Sequence, residues 1–370
     1  MVGIAGVYLH IPFCASRCDY CAFATWTDRS HLVDRYLDAC STELRRAVTA
    51  GLEPVTSVFV GGGTPSLVPP AALVDVLQLV PLAEGAEVTV ECNPDTVTAE
   101  LVDTHRAGGV NRLSFGVQSM VPHVLTALGR THDPTNVRTS VELARAAGFE
   151  TFNLDLIYGG VGESLDDWRR TLTEALALDP PHVSAYALTV EPGTALAADA
   201  ARHPDDDDQA DKYLLATELL GGAGLEWYEI SNWARPGHEC RHNELYWRQG
   251  DYLGIGCAAH SHRQGRRWWN LRTPERYIAA IDAGQPAEGG FEQLDRDAQG
   301  MEALQLALRT AEGVPAGALP DDGSLDGLVE PGLDGNIVLS VRGRLLANEV
   351  STYLRPVAAR APQLRTAGLG

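Results

Sequence analysis

Six short runs rich in β-branched and aromatic residues recur through the first half of the chain: "GVYLHI" from Gly6, "SVFVGG" from Ser57, "VTVEC" from Val88, "RLSFGV" from Arg112, "TFNLDLIY" from Thr151 and "HVSAYALTV" from His182. Between them lie stretches whose apolar residues repeat near every 3.6 positions, such as "SHLVDRYLDACSTELRRAV" and "SLDDWRRTLTEALAL", the latter opening on Ser164 as a cap. Strands that alternate with helices must pair in parallel, because each crossover returns the chain to the same end of the sheet. The expected fold is therefore α/β, and six units make a partial (β/α)6 barrel of the TIM type, open on one side. Polar or glycine-rich segments follow all six runs ("PFC", "GGTPS", "NPD", "QS", "GGVGES", "EPG"), which predicts one shared site at the strand ends.

The alternation stops after Gly224, which suggests three regions: a barrel over 1–224, an aromatic- and histidine-rich extension over 225–290 packing on it, and a small module over 291–370. In the last region a helix, a "LDGNIVLS" hairpin turning at Asp334 and Gly335, and the helix "RGRLLANEVSTYL" suggest a winged-helix-like α+β arrangement. The acidic "HPDDDDQADK" reads as a solvated loop leading into the helix "DKYLLATELL".

With 29 basic and 49 acidic residues the net charge is −20, which leaves a nucleic-acid backbone without neutralising partners. No run of apolar residues is long enough to span a bilayer, and "MVGIAGVYLHIPF" lacks the basic start and cleavage site of a signal peptide. Cytoplasm is the expected compartment. Its reducing chemistry suits the four scattered thiols Cys40, Cys92, Cys240 and Cys257, which do not form a disulfide framework.

The remaining three cysteines, Cys14, Cys18 and Cys21, sit in "HIPFCASRCDYC" directly after the first strand. A structural zinc ion needs four ligands, so zinc would have to recruit a further donor such as His10. An iron–sulfur cube held by three thiolates leaves one iron open to a small chelating molecule. CxxxCxxC after the first barrel strand, with Tyr20 before the last cysteine, resembles the radical S-adenosylmethionine (SAM) superfamily, whose cofactors are a [4Fe-4S] cluster and SAM. The resemblance assigns Cys14, Cys18 and Cys21 to the metal and places Tyr8, Tyr20, Gly62, Gly63, Thr64, Glu91, Gln118, Arg130 and Asp155 around SAM.

"CRHNELYW", from Cys240 to Trp247, is similar to the HNxxYW motif of the superfamily's heme-chaperone branch, which itself resembles the oxygen-independent coproporphyrinogen III oxidases. Those oxidases carry a fourth cysteine where this chain has Phe23. The resemblance implies a third ligand, heme, with His242, Asn243, Tyr246 and Trp247 as its contacts and Cys240 as a second candidate for the iron. The partners it implies are apo-hemoproteins, membrane respiratory proteins among them, served by a monomer or a dimer. The alternative is a radical-forming coproporphyrinogen III dehydrogenase of heme biosynthesis. Val161, Cys257 and Ala258 depart from the family pattern, so the nearby SAM loop that includes His260 is expected to be shifted.

Overall fold

The computed structural model describes residues 3–130 and 132–356. Two compact units divide at Leu294 and Asp295.

The first unit is built on a twelve-stranded sheet. Its centre is the expected parallel series: β1 (Gly6–Ile11), β2 (Val55–Gly62), β3 (Leu82–Cys92), β4 (Arg112–Gln118), β5 (Thr151–Tyr158) and β6 (His182–Ala187). The crossovers carry α1 (Val33–Thr49), α2 (Pro70–Leu77), α3 (Ala99–Ala107), α4 (Pro122–Ala127), α5 (Pro134–Ala146) and α6 (Leu165–Leu176). Strand alternation sorts the side chains: Val7, Leu9 and Ile11 of β1 are buried on the helix-covered side, each contributing about 1.5–3 kcal/mol by leaving water. Tyr8 and His10 point the other way, into the barrel, with Gly61, Glu91, Ser114, Asn153, Asp155 and Ser184.

The acidic run does not form a loop. Helix α7 (Asp206–Gly222) begins inside it, with the Asp205 side chain accepting a hydrogen bond from the Asp208 N–H and three aspartates in the first turn. Carboxylates at a helix N-terminus satisfy unpaired amide N–H groups and face the positive end of the dipole, so a charge run that looks solvated starts a helix.

The segment after Gly224 extends the barrel sheet at both edges. On the β6 side, β7 (Glu226–Glu229) and β8 (Asn232–Ala234) add antiparallel. Helix α8 (Arg241–Trp247) follows, then β9 (Tyr252–Ile255), which pairs parallel with β1. The antiparallel β10 (His260–Arg263), β11 (Arg266–Asn270) and β12 (Glu288–Gln293) continue from it, with α9 (Pro274–Asp282) inserted before β12. The boundary expected at 290 falls later because Phe291, Glu292 and Gln293 pair with β11.

The second unit holds α10 (Arg296–Ala307) and a three-stranded sheet of β13 (Val314–Pro315), β14 (Val329–Pro331) and β15 (Asn336–Leu339). Asp334 and Gly335, both at positive φ, make the β14–β15 turn. The helix expected last is two short pieces, α11 (Val341–Leu345) and α12 (Ala347–Ser351), interrupted at Leu346.

Candidate functional site

The three cysteines follow β1 on a loop tied to its neighbours by backbone. Cys14 N–H donates to Trp26 C=O at 3.1 Å, Trp26 N–H to Pro12 C=O at 2.8 Å, and Thr64 N–H to Phe13 C=O at 2.8 Å. All three thiols are half-buried. The Thr64 hydroxyl lies 3.8 Å from Cys14 Sγ, and Arg130 Nη1 lies 3.5 Å from Cys18 Sγ. Burial pushes the Cys14 and Cys21 thiols up, as does the Cys18 sulfur near both, so the thiolate form calls for a metal to take the proton's place. Tyr20 projects from the same loop onto the apolar cluster of Val121, Val124, Leu128, Ile157, Leu188 and Leu196.

Beside the cysteines, the end of β2 is stripped of side chains for a steric reason. Gly62 has φ of +111°, and a Cβ there would stand 2.4 Å from the His10 ring; at Gly63 one would stand 2.6 Å from Phe13 C=O. The bare strand leaves peptide groups open to a ligand. Gly62 N–H already donates to Glu91 Oε2 at 3.2 Å. Burial, then the nearby Asp155 carboxylate, pushes Glu91 up to about 8, so it carries a proton at neutral pH. Asp155 is raised by burial but accepts hydrogen bonds from Ser114 Oγ at 2.7 Å and Asn153 Nδ2 at 2.8 Å.

Tyr8 OH meets His10 Nδ1 at 3.0 Å, and His10 Nε2 meets Ala24 C=O at 2.9 Å. His10 is thereby spent on positioning. Gln118 sits at positive φ on a bulge ending β4. Arg130 binds Gly116 C=O at 2.7 Å, and its Nε is buried without a partner, a donor facing no protein acceptor. Three thiols, a bare glycine strand, two buried carboxyls and a guanidinium with an open donor thus converge at one end of the barrel. This donor set fits a three-thiolate cluster and a zwitterionic ligand beside it.

The HNELYW residues lie elsewhere. Helix α8 closes the opposite end, the barrel floor: His242 Nδ1 meets Ser57 Oγ near the start of β2, and a Cβ on Gly6, the first residue of β1, would touch the His242 ring. From Gly6 to Ile11 is five residues, or roughly 16 Å at ~3.3 Å per residue. Glu87 caps the helix, accepting from Arg241 N–H at 3.3 Å, His242 N–H at 3.4 Å and Cys240 Sγ at 3.5 Å. His242 is 1% exposed, with Nδ1 2.9 Å from Ser57 Oγ and Nε2 2.8 Å from Tyr246 OH, and its ring stacks on Phe59. Burial lowers it to about 3. Asn243 donates to Glu229 at 3.0 Å, while Tyr246 and Trp247 are half-buried. The cysteines and HNELYW therefore form two separate clusters.

Asp155 and Asn243, both expected site residues, belong to a hydrogen-bonded group whose other members the sequence reading missed. Asn153 Nδ2 lies within 2.9 Å of Ser114, Asp155 and Ser184; Ser184 donates to Asn232, and Asn232 and Asn243 both donate to Glu229. The signal is small polar residues at alternate, inward positions: Ser114 in "RLS", Asn153 and Asp155 in "NLD", Ser184 in "HVS".

The radical SAM superfamily model matches residues 8–175, the stretch that carries the cysteines, the glycine strand and both carboxyls. The heme chaperone HemW of Mycobacterium tuberculosis (strain ATCC 25618 / H37Rv) is 43% identical over 364 residues, covering 93% of each chain. The chain belongs to the HemW family. HemW of Bacillus subtilis (strain 168) is 36% identical, covering 93% of this chain and 97% of its own, and HemW of Escherichia coli (strain K12) is 41% identical over 69% of each. Among solved structures, coproporphyrinogen III oxidase (HemN) from Escherichia coli, a radical SAM enzyme, superposes with a TM-score of 0.80 at 25% identity, covering 95% of this chain and 90% of that one. As a radical SAM protein of the HemW family, the chain takes a [4Fe-4S] cluster and SAM as cofactors.

Proposed function

We propose that this protein is a heme chaperone that binds heme and passes it to apo-hemoproteins in the cytoplasm or at membrane respiratory complexes. The observation that carries the reading is the 43% identity to a HemW heme chaperone along 93% of both chains. Cys14, Cys18 and Cys21 would hold the cluster, and Gly62, Gly63 and Thr64, with Glu91, Asp155, Arg130, Tyr8, Tyr20 and Gln118, would hold SAM. When bound, this pair supplies a low-potential electron source next to a reducible sulfonium. The chain's own residues hold the thiolates, orient the ligand and present the Glu91 carboxyl to its cationic groups. No helix among the described residues is long and apolar enough to cross a membrane.

The second reading, a coproporphyrinogen III dehydrogenase, is favoured by the superposition on the oxidase. Against it stands Phe23, 63% exposed where the oxidases carry a further cysteine. The test is anaerobic: reconstituted protein with bound heme is mixed with an apo-hemoprotein, and the acceptor's absorption spectrum is followed. Transfer without conversion of coproporphyrinogen III supports the chaperone. Enzyme-like porphyrinogen turnover with SAM and a reductant overturns it.

A further inference from the structure

The imidazole of HNELYW is poorly disposed to take an iron: both nitrogens are hydrogen-bonded and the ring is buried. A different imidazole stands at the mouth. His260 opens β10 directly after the loop 256–259, which leaves the C-terminal end of β9. Because β9 runs parallel to β1 with Ile255 opposite Leu9, that loop is level with His10 and the start of the cysteine loop. His260 is close enough to His10 for their charges to interact.

The His260 side chain is exposed, and among the described residues no hydrogen-bond partner reaches either ring nitrogen. Its ring packs against the Trp269 indole at 5.8 Å between centroids, with 33° between planes. Trp269 can lie across the sheet because Gly290 is opposite it on β12: a Cβ there would be 2.6 Å from the indole. This tilted ring contact restrains the plane of the imidazole yet leaves the in-plane lone pair of its unprotonated nitrogen unobstructed. Burial, with Arg267 beside it, lowers the His260 pKa, so the neutral, ligating form prevails at pH 7.

The surroundings select the kind of metal. Around His260, among the described residues, no group of three His, Cys, Asp or Glu side chains is gathered that could hold an ion, so this imidazole would hold a bare hydrated ion only weakly. An iron whose four equatorial positions are filled by a macrocycle asks the protein for just one or two axial ligands. The indole, 36% exposed, offers apolar surface to that macrocycle.

We propose that His260 is the axial ligand of the heme iron, with Trp269 as the positioning residue that fixes the imidazole plane. The inference rests on the chaperone reading and places heme at the same end of the barrel as the cluster and SAM.

The test is a hemin titration of the anaerobically reconstituted protein, followed at the Soret band, for wild type, His260→Gly, Trp269→Ala, Trp269→Phe and His242→Ala. Circular dichroism and cluster absorbance serve as controls for folding. Expected results are stoichiometric binding by wild type and more than about tenfold weaker binding by His260→Gly, whose imidazole-type spectrum returns on adding free imidazole. Trp269→Ala should weaken binding with SAM affinity unchanged, Trp269→Phe should recover it, and His242→Ala, where folded, should keep the wild-type spectrum. Wild-type affinity and spectrum in His260→Gly overturn the ligand assignment and leave the chaperone reading standing. Absence of heme binding in wild type with its cluster intact overturns both.

Discussion

Glu91→Gln should stabilise the protein in the absence of SAM at alkaline pH while weakening its hold on SAM. Glu91 is fully buried, and its pKa rises from 4.5 to about 8 through burial first and the Asp155 charge second, offset in part by the Gly62 N–H. A carboxyl whose folded pKa is raised contributes stability that is fully present below pH 4.5 and lost as pH climbs through about 8, because the unfolded chain gives up its proton earlier. At 1.36 kcal/mol per unit the ceiling on that loss is on the order of 5 kcal/mol, and relaxation around the charge halves it to about 2–3 kcal/mol. Glutamine keeps the shape and cannot ionise, so this share of the pH dependence disappears. Urea unfolding of the cofactor-free protein at pH 5.5, 7 and 8.5 measures it: wild type should lose stability across the series relative to Glu91→Gln. Parallel pH profiles for the two proteins would refute the assignment of a neutral Glu91. In titrations with SAM, wild-type affinity should rise with pH toward 8, as the ligand's cationic groups draw off the proton, and the variant should bind weakly with no such rise.

Lys212 is completely buried between Glu163 and Asp208, so Lys212→Met should cost about 3–5 kcal/mol in thermal or chemical unfolding by stranding the Glu163 carboxylate. Gly62→Ala meets the His10 ring and a left-handed backbone at once; SAM affinity should fall by an order of magnitude or more, with a loss of about 1–3 kcal/mol in stability. Replacing Cys14, Cys18 and Cys21 together by Ala should abolish the iron–sulfur absorbance and SAM binding while leaving the circular dichroism of the barrel in place. Phe23→Cys, at an exposed position, should leave stability within about 0.5 kcal/mol and not confer porphyrinogen turnover.

The parallel strands were legible because each is a short apolar run followed by glycine or a polar cap, and the structure places β1, β2 and β4–β6 where those runs lie, extending β3 back to Leu82. The additions at the sheet edges were hidden for a physical reason. β9 is four residues long, and β10–β12 carry histidines, arginines and glycines in place of an alternating apolar pattern, so their pairing depends on the edge of β1 being available rather than on local preference. The same reasoning applies to the sites. The cysteine loop and the glycine strand are contiguous in sequence and announce themselves. The depth of His242 depends on where α8 docks, which spacing within "CRHNELYW" cannot specify; His260, free and exposed, shows its disposition only once Trp269 and Gly290 are placed across from it.

The polar ladder inside the barrel joins the two ends that the site residues occupy. Asp155 near the mouth, Asn153, Ser184, Asn232, Glu229 and Asn243 on α8 form one hydrogen-bonded series. Glu229, raised by burial, is the shared acceptor for Asn232 and Asn243, so removing one donor leaves a buried carboxyl short of a partner and alters the next link as well. Asn232→Leu should therefore destabilise the protein by about 1–3 kcal/mol and also weaken SAM at the mouth, because Ser184 and then Asn153 lose the partner that orients them toward Asp155. A double-mutant cycle with Asn153→Ala distinguishes the two effects. If the ladder acts as a unit, the second mutation adds little to the loss of SAM affinity once the first is present. Additive losses would mean that each residue acts alone, and that the HNELYW helix closes the floor without any energetic link to the cofactor end.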